Sequence, residues 1–209
     1  MPDAPSSPIG FAASADEETA LFSAGFAFVL RTDLILPAPP AVPTYTLDAS
    51  VYSGNAATGP FQGAGVVGGY FELAFSFVAV ATGVLGRIEL PVLYSSGVAS
   101  DFVIELRADV SGLPGGAVLA SASLGAITSP ATPSAAIASP RVATFAFNQV
   151  AGTKYWMCMR VLNAASNSVY SIPFTGSGTG NLAYRGTANG AWTKDTTLGS
   201  GLHRNSRVS

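Results

Sequence analysis

His203 is the chain's one histidine, so any Ser-His-Asp arrangement would have to use it. It lies four residues after Gly199 in a polar tail, with Arg204 and Asn205 beside it, which suggests a solvated or partner-facing end and not a catalytic base. Cys158 is also alone. No internal disulfide can form, and the apolar run at residues 155–161 makes it a small buried hydrophobe. With no Cys/His cluster, zinc is excluded on ligand count. Asp101, Glu105 and Asp109 are near in sequence, and calcium needs several oxygen ligands close together. Glu105 falls inside a strand pattern, however, and each of these carboxylates is expected to face water or Arg107. No catalytic or metal-binding residue is assigned, and no cofactor is expected.

Three further patterns carry possible chemistry. Glu72, Glu89 and Glu105 could supply paired carboxylates for glycoside cleavage. All three fall on alternating strand faces, where isolated solvated charges are expected, and nothing singles out a pair. The run from Gly63 to Gly68 matches G-x-G-x-x-G, but a dinucleotide site needs a strand before it and a helix after it. Here Gly59 and Pro60 precede and a strand pattern follows at Tyr70, so the run is a lead-in. The aromatics are harder to set aside. Tyr170, Phe174, Tyr184 and Trp192, with Asn181 and Asn189 in glycine-rich loops, could form a platform for sugars at one end of a β body. Tyr184, Trp192 and Asn189 are the candidate glycan-binding residues. The plainer reading, that these rings fill core or subunit contacts, is the stronger one.

The elements that would position such residues are strands. In residues 102–124, Phe102, Ile104 and Leu106 alternate with Val103, Glu105 and Arg107, the period of two that a half-buried strand requires. A turn-forming cluster at residues 109–116 follows, then a second run with Val118, Ala120, Ala122 and Leu124 on one side. Similar runs occupy residues 70–81, 86–94, 142–147, 154–162, 168–174 and 182–185, with a further short one at 191–194. A Ser/Thr/Pro/Ala loop spans 127–140, and Pro91 marks its run as an edge or bulged strand. The 23 glycines and 14 prolines leave little room for long helices. Short strands at this spacing predict a two-layer sandwich.

Residues 1–64 differ in character. The first fifteen are Pro, Ser and Ala without period, and Phe22, Ala24, Phe26, Phe28 and Leu30 then alternate like a strand. Pro37, Pro39, Pro40 and Pro43 impose an extended linker, and a short strand is expected at residues 45–52. Such a composition takes shape only against other chains. Phe11, Phe22, Phe26, Phe28 and Leu30 are therefore the candidate partner-binding residues. Charged residues make up 11% of the chain, against roughly 25% in ordinary soluble proteins. A surface so poor in charge is expected to be partly covered by partners. The net charge of −2 and scattered basic residues give no case for nucleic acid. No signal peptide is visible, because the first 30 residues hold no Lys or Arg. The apolar run at 20–30 is too short to cross a bilayer, so no membrane partner is expected.

Several segments together resemble a known family. They are Gly83-Val84-Leu85-Gly86-Arg87-Ile88-Glu89-Leu90, the R-x-D…G-x-P-G stretch from Arg107 to Gly115 within residues 103–124, Thr144-Phe145-Ala146-Phe147, and Val150-Ala151-Gly152-Thr153-Lys154-Tyr155-Trp156. The pattern is similar to a jelly-roll β-sandwich domain of bacteriophage virion proteins and bacterial surface proteins, over about residues 65–195. The resemblance supplies no catalytic residues. It implies an all-β, antiparallel jelly-roll β-sandwich, assigned to residues 65–209, and does not reach residues 1–64, which their composition makes an extended N-terminal arm and linker. It further implies a structural virion component, made in the host cytoplasm. Its partners would be other virion proteins and copies of itself, as a homo-oligomer. The alternative is a carbohydrate-binding module for host surface glycans.

Overall fold

The apolar alternation read above becomes strands wherever one face can be buried. The computed structural model describes residues 40–50, 72–97, 99–130, 132–162, 169–174, 181–187, 190–196 and 199–209. The chain divides between Val42 and Pro43 into two units, and every described strand belongs to the second. These strands are β1 (Tyr45–Ser50), β2 (Glu72–Val78), β3 (Gly83–Leu90), β4 (Leu93–Ser96), β5 (Asp101–Val110) and β6 (Leu113–Ala126), then β7 (Arg141–Gln149), β8 (Lys154–Val161), β9 (Val169–Ser171), β10 (Leu182–Arg185), β11 (Thr193–Asp195) and β12 (Arg204–Val208). One short helix, α1 (Pro133–Ala138), interrupts them within the stretch expected to be a loop. Pro133 starts it, at a position where the missing N–H has no helical partner to lose.

The fold is all-β and every described strand pair is antiparallel. One sheet has the order β1-β12-β3-β7, the second has the order β11-β10-β2-β8-β5-β6, and β4 pairs with β9 alone. A shared apolar cluster joins the two large sheets. Leu73, Phe75 and Phe77 of β2, Phe102, Ile104 and Leu106 of β5, and Tyr155, Met157 and Met159 of β8 meet Leu85, Ile88 and Leu90 of β3 and Ala143 of β7. Phe147 stands edge-on to Tyr155, with ring centroids 5.3 Å apart. At roughly 25 cal/mol per Å² of apolar surface, each such side chain contributes about 1.5–3 kcal/mol when fully buried.

Local geometry departs from the sequence reading at three places, each with a physical cause. The β5–β6 turn is only Ser111-Gly112, with φ of 54° and 82°. Two consecutive positive φ angles match the right-handed twist of the flanking strands, and glycine accepts one without strain. Pro114, Gly115 and Gly116 therefore belong to β6, an edge strand where a missing N–H is tolerated. Second, the run at 86–94 is split at Pro91 and Val92, so the chain leaves the four-stranded sheet at Leu90 and joins β9 at Leu93. Third, the polar tail is a strand. β12 lies between β1 and β3, and β1, expected at the end of the linker, pairs with it from Tyr45↔Val208 to Ser50↔Arg204.

A single carboxylate allows that polar strand to sit inside the sheet. Asp48 Oδ1 accepts from Ala81 N–H at 3.1 Å and Arg207 Nε at 3.0 Å; Oδ2 accepts from Val80 N–H at 3.2 Å and Gln149 Nε2 at 2.8 Å. The Asp48 side chain has no exposed surface. It ties β1 to the β2–β3 turn, the end of β7 and β12. Asp48→Ala removes the acceptor shared by Arg207, Gln149 and the Val80 and Ala81 N–H groups, and removing one partner of a buried ion pair costs about 3–5 kcal/mol. Urea unfolding should show a loss of that order, with Asp48→Asn recovering part of it. An unchanged midpoint would refute the role.

Candidate functional site

The period of two sends one set of side chains from the six-stranded sheet into the core and the other set to its outer face. On that outer face lie Glu72, Ala74 and Ser76 of β2, Trp156, Cys158 and Arg160 of β8, Glu105 and Arg107 of β5, and Ala183 and Arg185 of β10. Register aligns Ala74, Cys158 and Glu105 in one row and places Arg107 beside Trp156. Ala74, Trp156, Cys158 and Ala183 form a second buried cluster, with Leu113 and Trp192 packed against it.

Charge runs across this face in pairs. Arg185 Nη2 is 2.6 Å from Glu72 Oε2, and Arg160 Nε is 2.8 Å from Glu105 Oε1. Arg107 Nη2 donates to Glu105 Oε2 at 2.7 Å, while its Nη1 donates to the carbonyls of Gly115 at 3.0 Å and Gly116 at 2.6 Å. Trp156 Nε1 donates to Asp109 Oδ1 at 2.7 Å, and Asp109 Oδ2 accepts the Gly112 N–H at 3.1 Å. A Cβ at Gly115 would lie 3.1 Å from the Ala108 carbonyl, so glycine permits the close approach. The R-x-D…G-x-P-G segment and the Tyr155-Trp156 segment are thus two halves of one structural lock around the β5–β6 hairpin.

The sequence reading of the carboxylates needs correction here. Glu72 and Glu105, expected to be isolated and solvated, are 1% and 4% exposed and face arginines. Burial pushes the Glu72 carboxyl above its usual range, against the pull of Arg185. Neighbouring strands have to be placed before this can be seen, and period-two patterning alone does not reveal what lies over a face. Cys158 is buried as expected, and desolvation drives its thiol upward, away from the reactive thiolate.

His203 is not solvated. It is fully buried near Phe77, with ring centroids 6.2 Å apart, and Nδ1 lies 2.8 Å from the Gly201 carbonyl oxygen. Nε2 has no hydrogen-bond partner, nor do the amide atoms of buried Asn205 two residues on. Burial lowers the imidazole to about 4, the Gly201 carbonyl opposing. The ring is therefore neutral, packed and remote from any base role.

The candidate sugar platform does not share a face. Tyr184 packs against the inner cluster, whereas Trp192 packs on the outer one with the Arg185 guanidinium 4.9 Å from its ring centroid. Asn189 lies outside the described residues, as do Phe11, Phe22, Phe26, Phe28, Leu30 and the Gly63–Gly68 run. Tyr170 and Phe174 are buried, and the Tyr170 hydroxyl donates to the Ser100 carbonyl at 2.9 Å. Among the described residues no group of three or more His, Cys, Asp or Glu is placed to hold a metal ion, and no helix is long and apolar enough to cross a membrane. No family model, curated protein or solved structure matches the chain.

The buried imidazole makes stability depend on pH. Its folded value of about 4 lies below the unfolded 6.5, so between them the unfolded chain binds more protons. The stabilisation is complete above pH 6.5 and is lost as pH falls toward 4, by an amount on the order of 2–3 kcal/mol. The raised Glu72 acts in the opposite sense over the acid range. Unfolding midpoints of wild type and His203→Phe across pH 4–7 should diverge, the variant being the flatter; parallel curves would refute the assignment.

Proposed function

We propose that the chain is a structural, non-enzymatic component of a tailed-bacteriophage virion, of the external decoration, spike or fibre type. Its jelly-roll body would be anchored by the N-terminal arm to other virion proteins and to copies of itself. One observation carries this reading: reactive groups are inside and aliphatic ones outside. His203, Cys158, Glu72 and Glu105 are buried, while Val80, Leu47, Val110 and Val150 are 69%, 59%, 57% and 54% exposed. Such a surface suits contact with protein more than turnover of a substrate.

In this mechanism Phe11, Phe22, Phe26, Phe28 and Leu30 bury themselves on adjacent subunits. A few aromatic side chains supply several kcal/mol at roughly 25 cal/mol per Å², before ordering costs are subtracted. Strand addition would contribute main-chain hydrogen bonds, and repetition by symmetry would add avidity. The chain would be made in the host cytoplasm and act in the particle.

Carbohydrate binding is the second reading, favoured by the partly exposed Trp192 ring with Arg185 stacked over it. The two readings separate experimentally. Deleting residues 1–36 should leave the thermal unfolding of the body unchanged and abolish its incorporation into particles. A truncated chain that still assembles normally refutes the anchoring role. Trp192→Ala should leave incorporation intact; loss of binding on a glycan array would instead support the carbohydrate reading.

A further inference from the structure

Among the described residues four strands terminate the two large sheets: β1 and β7 in one, β11 and β6 in the other. An edge strand presents unpaired N–H and C=O groups, and monomeric proteins blunt it with shortness, charge, proline or bulges. β11 is three residues long and carries Lys194 and Asp195. β1 is six residues long, is entered through Pro43, carries Asp48 and is bulged between Leu47 and Ala49.

β6 is built differently. It runs for fourteen residues, Leu113–Ala126, without one charged side chain. Indeed no charged residue occurs anywhere in residues 111–140. Its proline, Pro114, sits at the far start, and its pairing with β5 is shifted on both sides of a regular stretch from Ala120 to Ser123. Ala120, Ala122 and Leu124 pack inward, so Leu119, Ser121 and Ser123 face out. Val118 and Leu119 are 44% and 40% exposed. β7 runs beside β6 and exposes Val142 together with Thr144, Ala146 and Asn148, so that flank is mixed apolar and neutral polar.

The geometry points to β6 as a self-recognition edge, which pairs antiparallel with β6 of a second copy across a two-fold axis. The two six-stranded sheets then become one continuous sheet. Charge selects this occupant. In a strand paired with its own copy, residues equidistant from the axis face each other, so any charge near the centre meets its like and repels it. β6 is the long edge of this body on which that conflict cannot arise, because it carries no charge at all. Pairing supplies partners to main-chain groups that no other described strand bonds on that side and removes Val118 and Leu119 from water. The inference concerns the folded body alone and does not depend on the arm.

The test uses the full-length chain in sedimentation equilibrium. Wild type should pass from monomer to dimer with concentration. Ser121→Lys should weaken the dimer by about tenfold or more, while its unfolding midpoint, measured on the dilute monomer, stays at the wild-type value. An equimolar mixture of Ser121→Lys and Ser121→Glu should restore dimerisation. Wild type that remains monomeric, or a Ser121→Lys chain that dimerises normally, overturns the inference. Single substitutions Leu119→Cys, Ser121→Cys and Ser123→Cys locate the axis by oxidation, with Cys158 silent because it is buried. One of the three should give a covalent dimer far more efficiently than the others. Association with no self-crosslink at any of them would assign the edge to a different strand, such as a neighbour's arm, and refute self-pairing.

Discussion

A carboxylate with four donors holds the first and last strands in place. Asp48 is withdrawn from water, which alone would be strongly unfavourable, and the main-chain groups of Val80 and Ala81 with the side chains of Arg207 and Gln149 offset that loss. Gln149 Nε2 also reaches the Ala81 carbonyl at 3.1 Å, so the β2–β3 turn is bonded through both its donor and acceptor groups. Without this node β12 would have little reason to enter the sheet. It contributes Asn205, and the residue leading into it, His203, to an apolar layer in which neither has its full hydrogen bonding. Its main-chain pairing on both sides, fixed in register by Asp48, is what offsets that cost.

The outer face of the six-stranded sheet uses the same device laterally. Glu72 between Arg185 and β8, and Glu105 between Arg160 and Arg107, place opposite charges on successive strands. A slip of one residue in any of these strands would move an arginine or a glutamate into the apolar core. Buried pairs of this kind contribute little net stability compared with apolar replacements. They do penalise every register but one. Arg107 extends the effect to the hairpin by binding the Gly115 and Gly116 carbonyls, which keeps the bulged start of β6 in step with β5.

What the sequence made legible follows from this division of labour. Strands with an apolar stripe were readable: β8 and β10 were expected almost residue for residue, and β5 and the shorter β2 fall within the runs expected for them or extend them by a residue or two, because alternation reports directly on a buried face. β12 was not readable, since RNSRV has no stripe and its burial depends on Asp48, far away in sequence. The burial of Glu72 and Glu105 was hidden for a related reason. Alternation says which residues oppose the core, and it cannot say whether the opposite face meets water. His203 was misplaced because its polar neighbours Arg204 and Asn205 point to different sides of one strand, Arg204 exposed and Asn205 buried. The turn at Gly152-Thr153 and the strand from Lys154 were legible in the motif segments; their hydrogen-bond partners, such as Asp109 for Trp156, required the fold.

The scarcity of charge and the character of the surface have one cause. Among the described residues, Arg87, Arg107, Lys154, Arg160, Arg185, Arg204 and Arg207, seven of the chain's ten basic residues, lie in ion pairs within the body. Charge used to hold register cannot also keep identical surfaces apart. What remains outside is mainly small residues, serine, threonine and exposed valine, most of all along β6 and β7. A chain that pairs its charges with one another, Arg107 and Arg185 largely buried and Arg87, Arg160 and Arg204 partly exposed, has its internal alignment specified by electrostatics, while its outer contacts are left to apolar burial and main-chain pairing. That combination is what supports the assembly role proposed for the chain.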